Sequence, residues 1–251
     1  MYCLKGGGFI AKIEGYRVQN YRVLKDITLG KLWNLQNVVP LTPLVAVIGK
    51  NGSGKSTLFD SFGFLADCLS FGVEEACDKR GRGGFERLVS SGSSGPVKFE
   101  IYYRESPSER PITYEISIAL DKNNRPYVES ERLRQRRKGQ NRGRPFSFLN
   151  VEAGKGFAWV GESYGEEEAS KVPVDLADLR KLAIATLGGL KEHSRITKFI
   201  NFMENWYLSY FTLDAARSLP MAGPQKHLNI HGDNLVMLKI GMYNIPGYPE
   251  K

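Results

Sequence analysis

Leu44-Val45-Ala46-Val47-Ile48-Gly49-Lys50-Asn51-Gly52-Ser53-Gly54-Lys55-Ser56-Thr57 decides the fold. The first five residues are a continuous apolar run, the pattern of a strand buried on both faces. Residues 49–56 match G-x-x-x-x-G-K-[ST] in full. Leu58, Phe62, Leu65 and Leu69 then recur at i, i+4, i+7 and i+11, which is one face of a helix expected from Lys55 to about Cys77. Strand, glycine-rich loop and helix in that order are the setting in which this pattern holds phosphate.

Each loop position has a physical task. Glycines allow backbone conformations closed to other residues, so several N–H groups can turn toward one anion. The helix that starts at Lys55 points the positive end of its dipole at the same place. Lys55 supplies a point charge to the β- and γ-phosphates and is the expected catalytic cation. The Ser56 hydroxyl is the expected protein ligand of Mg²⁺, an ion that takes few protein oxygens and keeps its waters. ATP and Mg²⁺ are therefore the expected ligands, held by Gly49, Lys50, Asn51, Gly52, Ser53, Gly54, Lys55, Ser56 and Thr57.

Working outward, residues 9–29 read as strand, turn, strand, from Phe9 to Glu14 and from Tyr16 to Val23, punctuated by Gly15 and Gly30. Beyond the helix lie a basic glycine-rich loop, Asp78 to Gly84, and a Ser/Gly stretch, Ser90 to Gly95. Five strands follow: Val97–Tyr103, Ile112–Leu120, Tyr127–Gln135, Phe146–Val151 and Phe157–Val160. Their spacing is that of an antiparallel meander. After Pro173 the period becomes helical: a helix from an Asp175 cap to Leu187, a second through Ile196 to Tyr210, and a third from about Gly232 to Met242. The expected fold is α/β, spanning 9–251, with a nucleotide-binding lobe (9–95), a strand meander (96–160) and a helical lobe (174–245).

The 251 residues include 35 Lys and Arg against 27 Asp and Glu, a net charge of +8, and 41% are hydrophobic. That composition is globular and excludes a disordered, collagen-like or coiled-coil chain. No run approaches the roughly 18 apolar residues of a membrane span, and Met1 to Ile10 lacks the apolar core of a signal peptide. Three cysteines without CxxC spacing point to reduced thiols and a cytoplasmic location. The positive charge suggests a polyanionic partner. Arg132, Arg134, Arg136, Arg137, Lys138, Arg142 and Arg144 form a dense basic run that either tracks a nucleic-acid backbone or is a solvated hairpin tip. Lys79, Arg80, Arg82 and Arg87 read mainly as solvated surface. His227 and His231, four apart without a following Glu, read as ordinary histidines.

The run Gly49 to Thr57 followed by Leu58-Phe59-Asp60 resembles the ABC-type ATPase heads of the RecF/SMC group, whose loop commonly reads G-x-N-G-x-G-K-[ST]. Val18 to Leu24 is similar to the first strands of those heads, and the likeness places Asn20 and Arg22 with the nucleotide. Gly83 to Val89, Arg217 to Pro220 and His231 to Leu235 are similar to bacterial ATPases of the AAA/OLD-like type. The resemblance implies heads that dimerise with ATP between them and hydrolyse it. It also implies work on DNA in repair, chromosome maintenance or phage defence, in places beside an effector protein.

Hydrolysis needs an apolar run ending in Asp-Glu. Ile116 to Asp121 continues into Lys122-Asn123-Asn124 and reads as a strand entering a hairpin, and Asp214 is followed by Ala215. The signature motif, switch His and Gln of those heads are also not found. The expectation is the N-terminal part of a longer ATPase, or else a nucleotide-binding module without turnover.

Overall fold

The computed structural model describes residues 11–204 and 206, apart from Gln36, Lys138, Asn141 and residues 161–169. All of them belong to the unit Met1–Trp206. Lys12–Tyr21 (β1) and Leu24–Gly30 (β2) form the first hairpin. After the phosphate-loop segment come two helices, Lys55–Phe71 (α1) and Val73–Asp78 (α2). The meander follows as Val97–Arg104 (β3), Ile112–Leu120 (β4), Pro126–Gln135 (β5), Phe146–Glu152 (β6), Lys155–Val160 (β7) and Ser170–Asp175 (β8). Ala183–Leu187 (α3) and Ser194–Glu204 (α4) close the described chain.

All eight strands join one sheet in the order β2-β1-β3-β4-β5-β6-β7-β8, and every ladder is antiparallel. The sheet thus runs through both the first lobe and the meander. Alternation sets its two faces. Tyr16, Val18, Phe99, Ile101, Tyr114, Ile116 and Leu133 share a buried face in one core with Leu58, Phe64 and Leu65 of α1 and Phe199 and Met203 of α4. The opposite face carries charge in register: Arg17 faces Glu100, Glu100 faces Glu115, and Glu115 faces Arg132.

Several local expectations are corrected. The first turn is not at Gly15, where the chain passes straight through β1 with a bulge between Ile13 and Gly15. It falls at Arg22-Val23, beside left-handed backbone at Asn20 (φ 60°) and Arg22 (φ 50°). The helix from Lys55 breaks at Gly72 (φ 89°), whose conformation ends one helix and admits the next. Asp175 is the last residue of β8, not a helix cap. Leu176 donates its N–H to the Gly154 carbonyl and the Leu179 carbonyl accepts the Val128 N–H, so these two serve the sheet margin, and the expected helix forms only over Ala183–Leu187. Leu44–Ile48 joins no ladder, and Leu44 and Ile48 are 88% and 94% exposed. The buried strand expected there is absent from the described residues because no described strand lies beside it; only Val47 packs on the core.

The third expected helix, the end of the second, Cys3, Glu166–Glu168, Arg217–Pro220, His227, His231 and the run to Asp214 lie outside the described residues. So does most of the expected 174–245 lobe. No helix among the described residues is long and apolar enough to cross a membrane.

Short α3 is capped from a distance. Its N-terminal N–H groups, from Ala183 and Ile184, donate to the Glu131 carboxylate of β5 at 2.5 and 3.0 Å, and the Tyr114 hydroxyl donates to it at 3.1 Å. Glu131 is 1% exposed. Burial penalises its charged form more than the three donors favour it, so the carboxyl is pushed up to about 7 from 4.5. Glu100, half-buried and facing Glu115, is likewise pushed up to about 7, burial being the larger cause. Between 4.5 and about 7 the folded chain binds protons that the unfolded chain has released, so stability falls as pH rises through that window and levels above it. Glu131→Gln should flatten part of this fall. Urea midpoints taken at about pH 5 and about pH 8 should lie closer together in the variant than in the unmutated chain.

Candidate nucleotide-binding site

The loop Gly49–Gly54 folds over the start of α1. Gly52 (φ 79°) and Gly54 (φ 92°) take the left-handed conformations the sequence pattern requires. A turn closes from the Ser53 N–H to the Lys50 carbonyl at 3.2 Å, and the Leu58 N–H donates to the Gly54 carbonyl at 2.8 Å to start the helix. Gly54 is the helix cap and has no side chain to satisfy the first-turn N–H groups, and no acid stands in that turn. The helix end is therefore open to an outside acceptor. The Val23 and Leu24 side chains also crowd Gly54, since a Cβ there would meet them at 3.0 Å.

Lys55 is folded back over its own loop. Its Nζ donates to the Gly49 carbonyl at 2.6 Å and to the Lys50 carbonyl at 2.8 Å. Lys50, Asn51, Gly52, Ser53 and Ser56 are exposed, and Thr57 is half-buried. Ser56 is the second residue of α1, at its open end, and would be the protein ligand of a phosphate-bound Mg²⁺. Among the described residues no group of three His, Cys, Asp or Glu could hold a metal. Mg²⁺ keeps several waters and binds substrate phosphates, so a single protein hydroxyl suits it. The residues present fit ATP with Mg²⁺.

Asn20 and Arg22, at the β1–β2 turn, have partners outside the phosphate loop. Asn20 ties the β1–β2 turn to the segment after α2: Nδ2 donates to the carbonyls of Gly95 (2.5 Å) and Pro96 (3.2 Å), and Oδ1 accepts the Ser90 N–H (3.2 Å). Arg22 turns toward α1, with Nη1 3.7 Å from Asp60 Oδ2.

A buried charge cluster under the loop escaped the sequence reading. Arg82, read as solvated, is 2% exposed. Its Nε donates to Asp60 (3.1 Å to Oδ1) and its Nη1 donates to Asp67 Oδ2 (2.6 Å) and the Ala76 carbonyl (2.9 Å). Nη2 lies 3.0 Å from Asp60 Oδ1 in a contact too bent for a hydrogen bond. Arg80 adds a two-point contact to Asp67. Burial opposes the Arg82 charge, but Asp60 and Asp67 together hold the guanidinium firmly protonated. The available signal was the i, i+7 spacing of Asp60 and Asp67 on an otherwise apolar helix face, which calls for a counterion.

The basic run divides. Arg132 and Arg134 are strand residues: Arg132 Nε donates to Asn150 Oδ1, while Arg134 is buried, paired with Glu115 and stacked over Trp33. Arg136 is half-buried and donates to the Trp33 carbonyl. Arg137 lies over the Phe146 ring, and Arg137, Arg142 and Arg144 are exposed. Lys138 lies outside the described residues. Asp121 is a turn residue, its Oδ1 accepting the N–H groups of Asn123 (2.8 Å) and Arg125 (2.9 Å), as its Lys-Asn-Asn sequel suggested.

Asn20 makes three hydrogen bonds from left-handed backbone that Asn tolerates better than Ala. Asn20→Ala should therefore cost about 2 kcal/mol of unfolding free energy. A denaturant titration reads this directly, and a shift of less than a few tenths would remove Asn20 from the frame.

No curated protein matches the chain. Residues 44–214 match the family described as "AAA domain, putative AbiEii toxin, Type IV TA system". The match starts at the apolar run before the loop and covers more than half of the 251 residues. An AAA-type, P-loop ATPase family fits the open helix end and folded-back lysine of the loop, whereas no match singles out the RecF/SMC or OLD-like heads. The chain belongs to this AAA-domain family.

Proposed function

We propose that the chain binds ATP with Mg²⁺ at Gly49–Thr57 and hydrolyses it, as an ATPase serving DNA metabolism, repair or defence against phage. The observation that carries this is the pairing of an uncapped helix end with Lys55 over the Gly49 and Lys50 carbonyls. An arriving phosphate meets N–H groups, a helix dipole and an ammonium at once. The words toxin and TA system in the matched family's description favour defence over general repair. A cytoplasmic setting, a head-to-head dimer around ATP and a neighbouring effector protein belong to the same proposal.

DNA is the proposed polyanion. Arg137, Arg142 and Arg144 lie in the β5–β6 hairpin, and Arg110, Arg195 and Lys198 line a polar cavity of about 260 Å³ at the same sheet end. Glu105 and Glu109 line that cavity too, so its net charge is +1 and the hairpin carries most of the attraction. If this holds, exchanging Arg137, Arg142 and Arg144 together for Gln should weaken DNA binding and lower the slope of log K against log salt by up to about 3. An unchanged slope would assign these residues to solvation.

A second reading, a nucleotide-binding module without turnover, is favoured by one observation. Asp121, the nearest apolar run's terminal acid among the described residues, is committed to a hairpin turn. Mg²⁺-dependent ATP turnover by the chain beside Lys55→Ala separates the readings. ATP binding should fall at least about a hundredfold in Lys55→Ala. Turnover in the unmutated chain alone supports the ATPase. Binding without turnover supports the module, and equal ATP affinity in both proteins would remove the phosphate-loop assignment.

A further inference from the structure

Arg82 touches no part of the phosphate loop, yet two chains of contact lead from it to that loop. The first runs along α1. Asp60 and Asp67 are two helical turns apart on one face, and the Arg82 guanidinium bridges them. The helix that carries both carboxylates also carries Lys55 and Ser56 in its first turn. The second chain runs through the β1–β2 turn. Asp60 Oδ2 accepts the Tyr21 hydroxyl at 2.7 Å, and Arg22 stands beside it. The next two residues, Val23 and Leu24, are the side chains that approach Gly54, the last glycine of the loop. Four consecutive residues, Tyr21 to Leu24, therefore hold the charge cluster at one end and wall the phosphate loop at the other.

The cluster depends on its central guanidinium. Removing Arg82 would leave two buried carboxylates to repel each other across two turns of helix, with Arg80 reaching only Asp67 and Arg22 standing 3.7 Å from Asp60. Relief would come by moving α1 or the turn, and either motion displaces the loop wall from the first-turn N–H groups.

We propose that Arg82 is a positioning residue for nucleotide binding. Acting through Asp60 and Tyr21, it fixes α1 and the Tyr21–Leu24 turn in the one mutual placement that shapes the phosphate cradle. This rests on the cradle reading of Gly49–Thr57. Arg82 does not contact the nucleotide. Its contribution is preorganisation, which changes affinity without adding a contact.

Titration calorimetry of Mg²⁺-ATP into the full chain tests this, with circular dichroism fixing a temperature at which each variant is folded. The variants are Tyr21→Phe, Arg82→Lys, Arg82→Met and Lys55→Ala, with Leu149→Ala as a control in the buried face of β6. Tyr21→Phe removes one hydroxyl and keeps the ring against Phe64 and Phe99. The expected result is a loss of ATP affinity of about tenfold or more in Tyr21→Phe and Arg82→Met. Arg82→Lys should be intermediate, because an ammonium cannot span both carboxylates as the planar fork does. Leu149→Ala should melt earlier and bind ATP within about twofold of the unmutated chain. If Arg82→Met does not fold, Tyr21→Phe and Arg82→Lys decide.

Unchanged affinity in both of those, while Lys55→Ala abolishes binding, overturns the positioning role and leaves the cradle standing. An equal loss in Leu149→Ala also overturns it, since general loosening would then be the cause. No binding by the unmutated chain overturns the cradle reading and this one together.

Discussion

A guanidinium taken out of water must be met by carboxylates and carbonyls or the chain does not fold around it. Arg82 imposes that constraint on the centre of this structure. Asp60 and Asp67 of α1 and the Ala76 carbonyl of α2 all converge on it, and the left-handed backbone at Arg80, Gly81, Gly83 and Gly84 brings the intervening chain to that point. Tyr21 closes the arrangement from the sheet side. Apolar contact among Phe64, Leu65, Phe99 and Ile101 has no direction of its own. The ion cluster adds directional contacts to α1, as does the buried hydrogen bond between the Tyr16 and Ser61 hydroxyls at 2.7 Å.

Much of this was legible in advance, for reasons that differ by element. β4 was placed to the residue because its alternating, β-branched sequence is bounded by Pro111 and by the Asp121-Lys122-Asn123-Asn124 turn, which are strong local signals. The phosphate loop was legible because its glycines and Lys55 act through backbone geometry that any surrounding fold must provide. What escaped were features decided by distant partners. Asp175 looks like a helix cap, but Ser170–Asp175 finds a better use as the strand beside β7. The cap of α3 comes from Glu131, about fifty positions away. Arg80 and Arg82 sit in a glycine-rich stretch that reads as solvated loop, and only the fold brings them over Asp60 and Asp67.

The basic run teaches a related lesson about charge counting. Arg134 and Arg142 look equivalent in the sequence, yet one is buried against Glu115 and Trp33 and the other is exposed. Strand alternation drives the difference, placing Arg132 and Arg134 on the charged sheet face beside Glu100, Glu115 and Asn150. Arg142 instead lies in the exposed hairpin beyond Gln135.

Lys55 already occupies the place it offers to a ligand. Its ammonium rests on the Gly49 and Lys50 carbonyls, so the loop is braced by its own lysine, and bracing of this kind moves the entropy of ordering a loop from capture to folding. Those two bonds use two of the three N–H donors on Nζ, and the first-turn N–H groups of α1 have no side-chain cap. The same lysine therefore braces the loop and keeps a charge-bearing donor for an anion at the helix end.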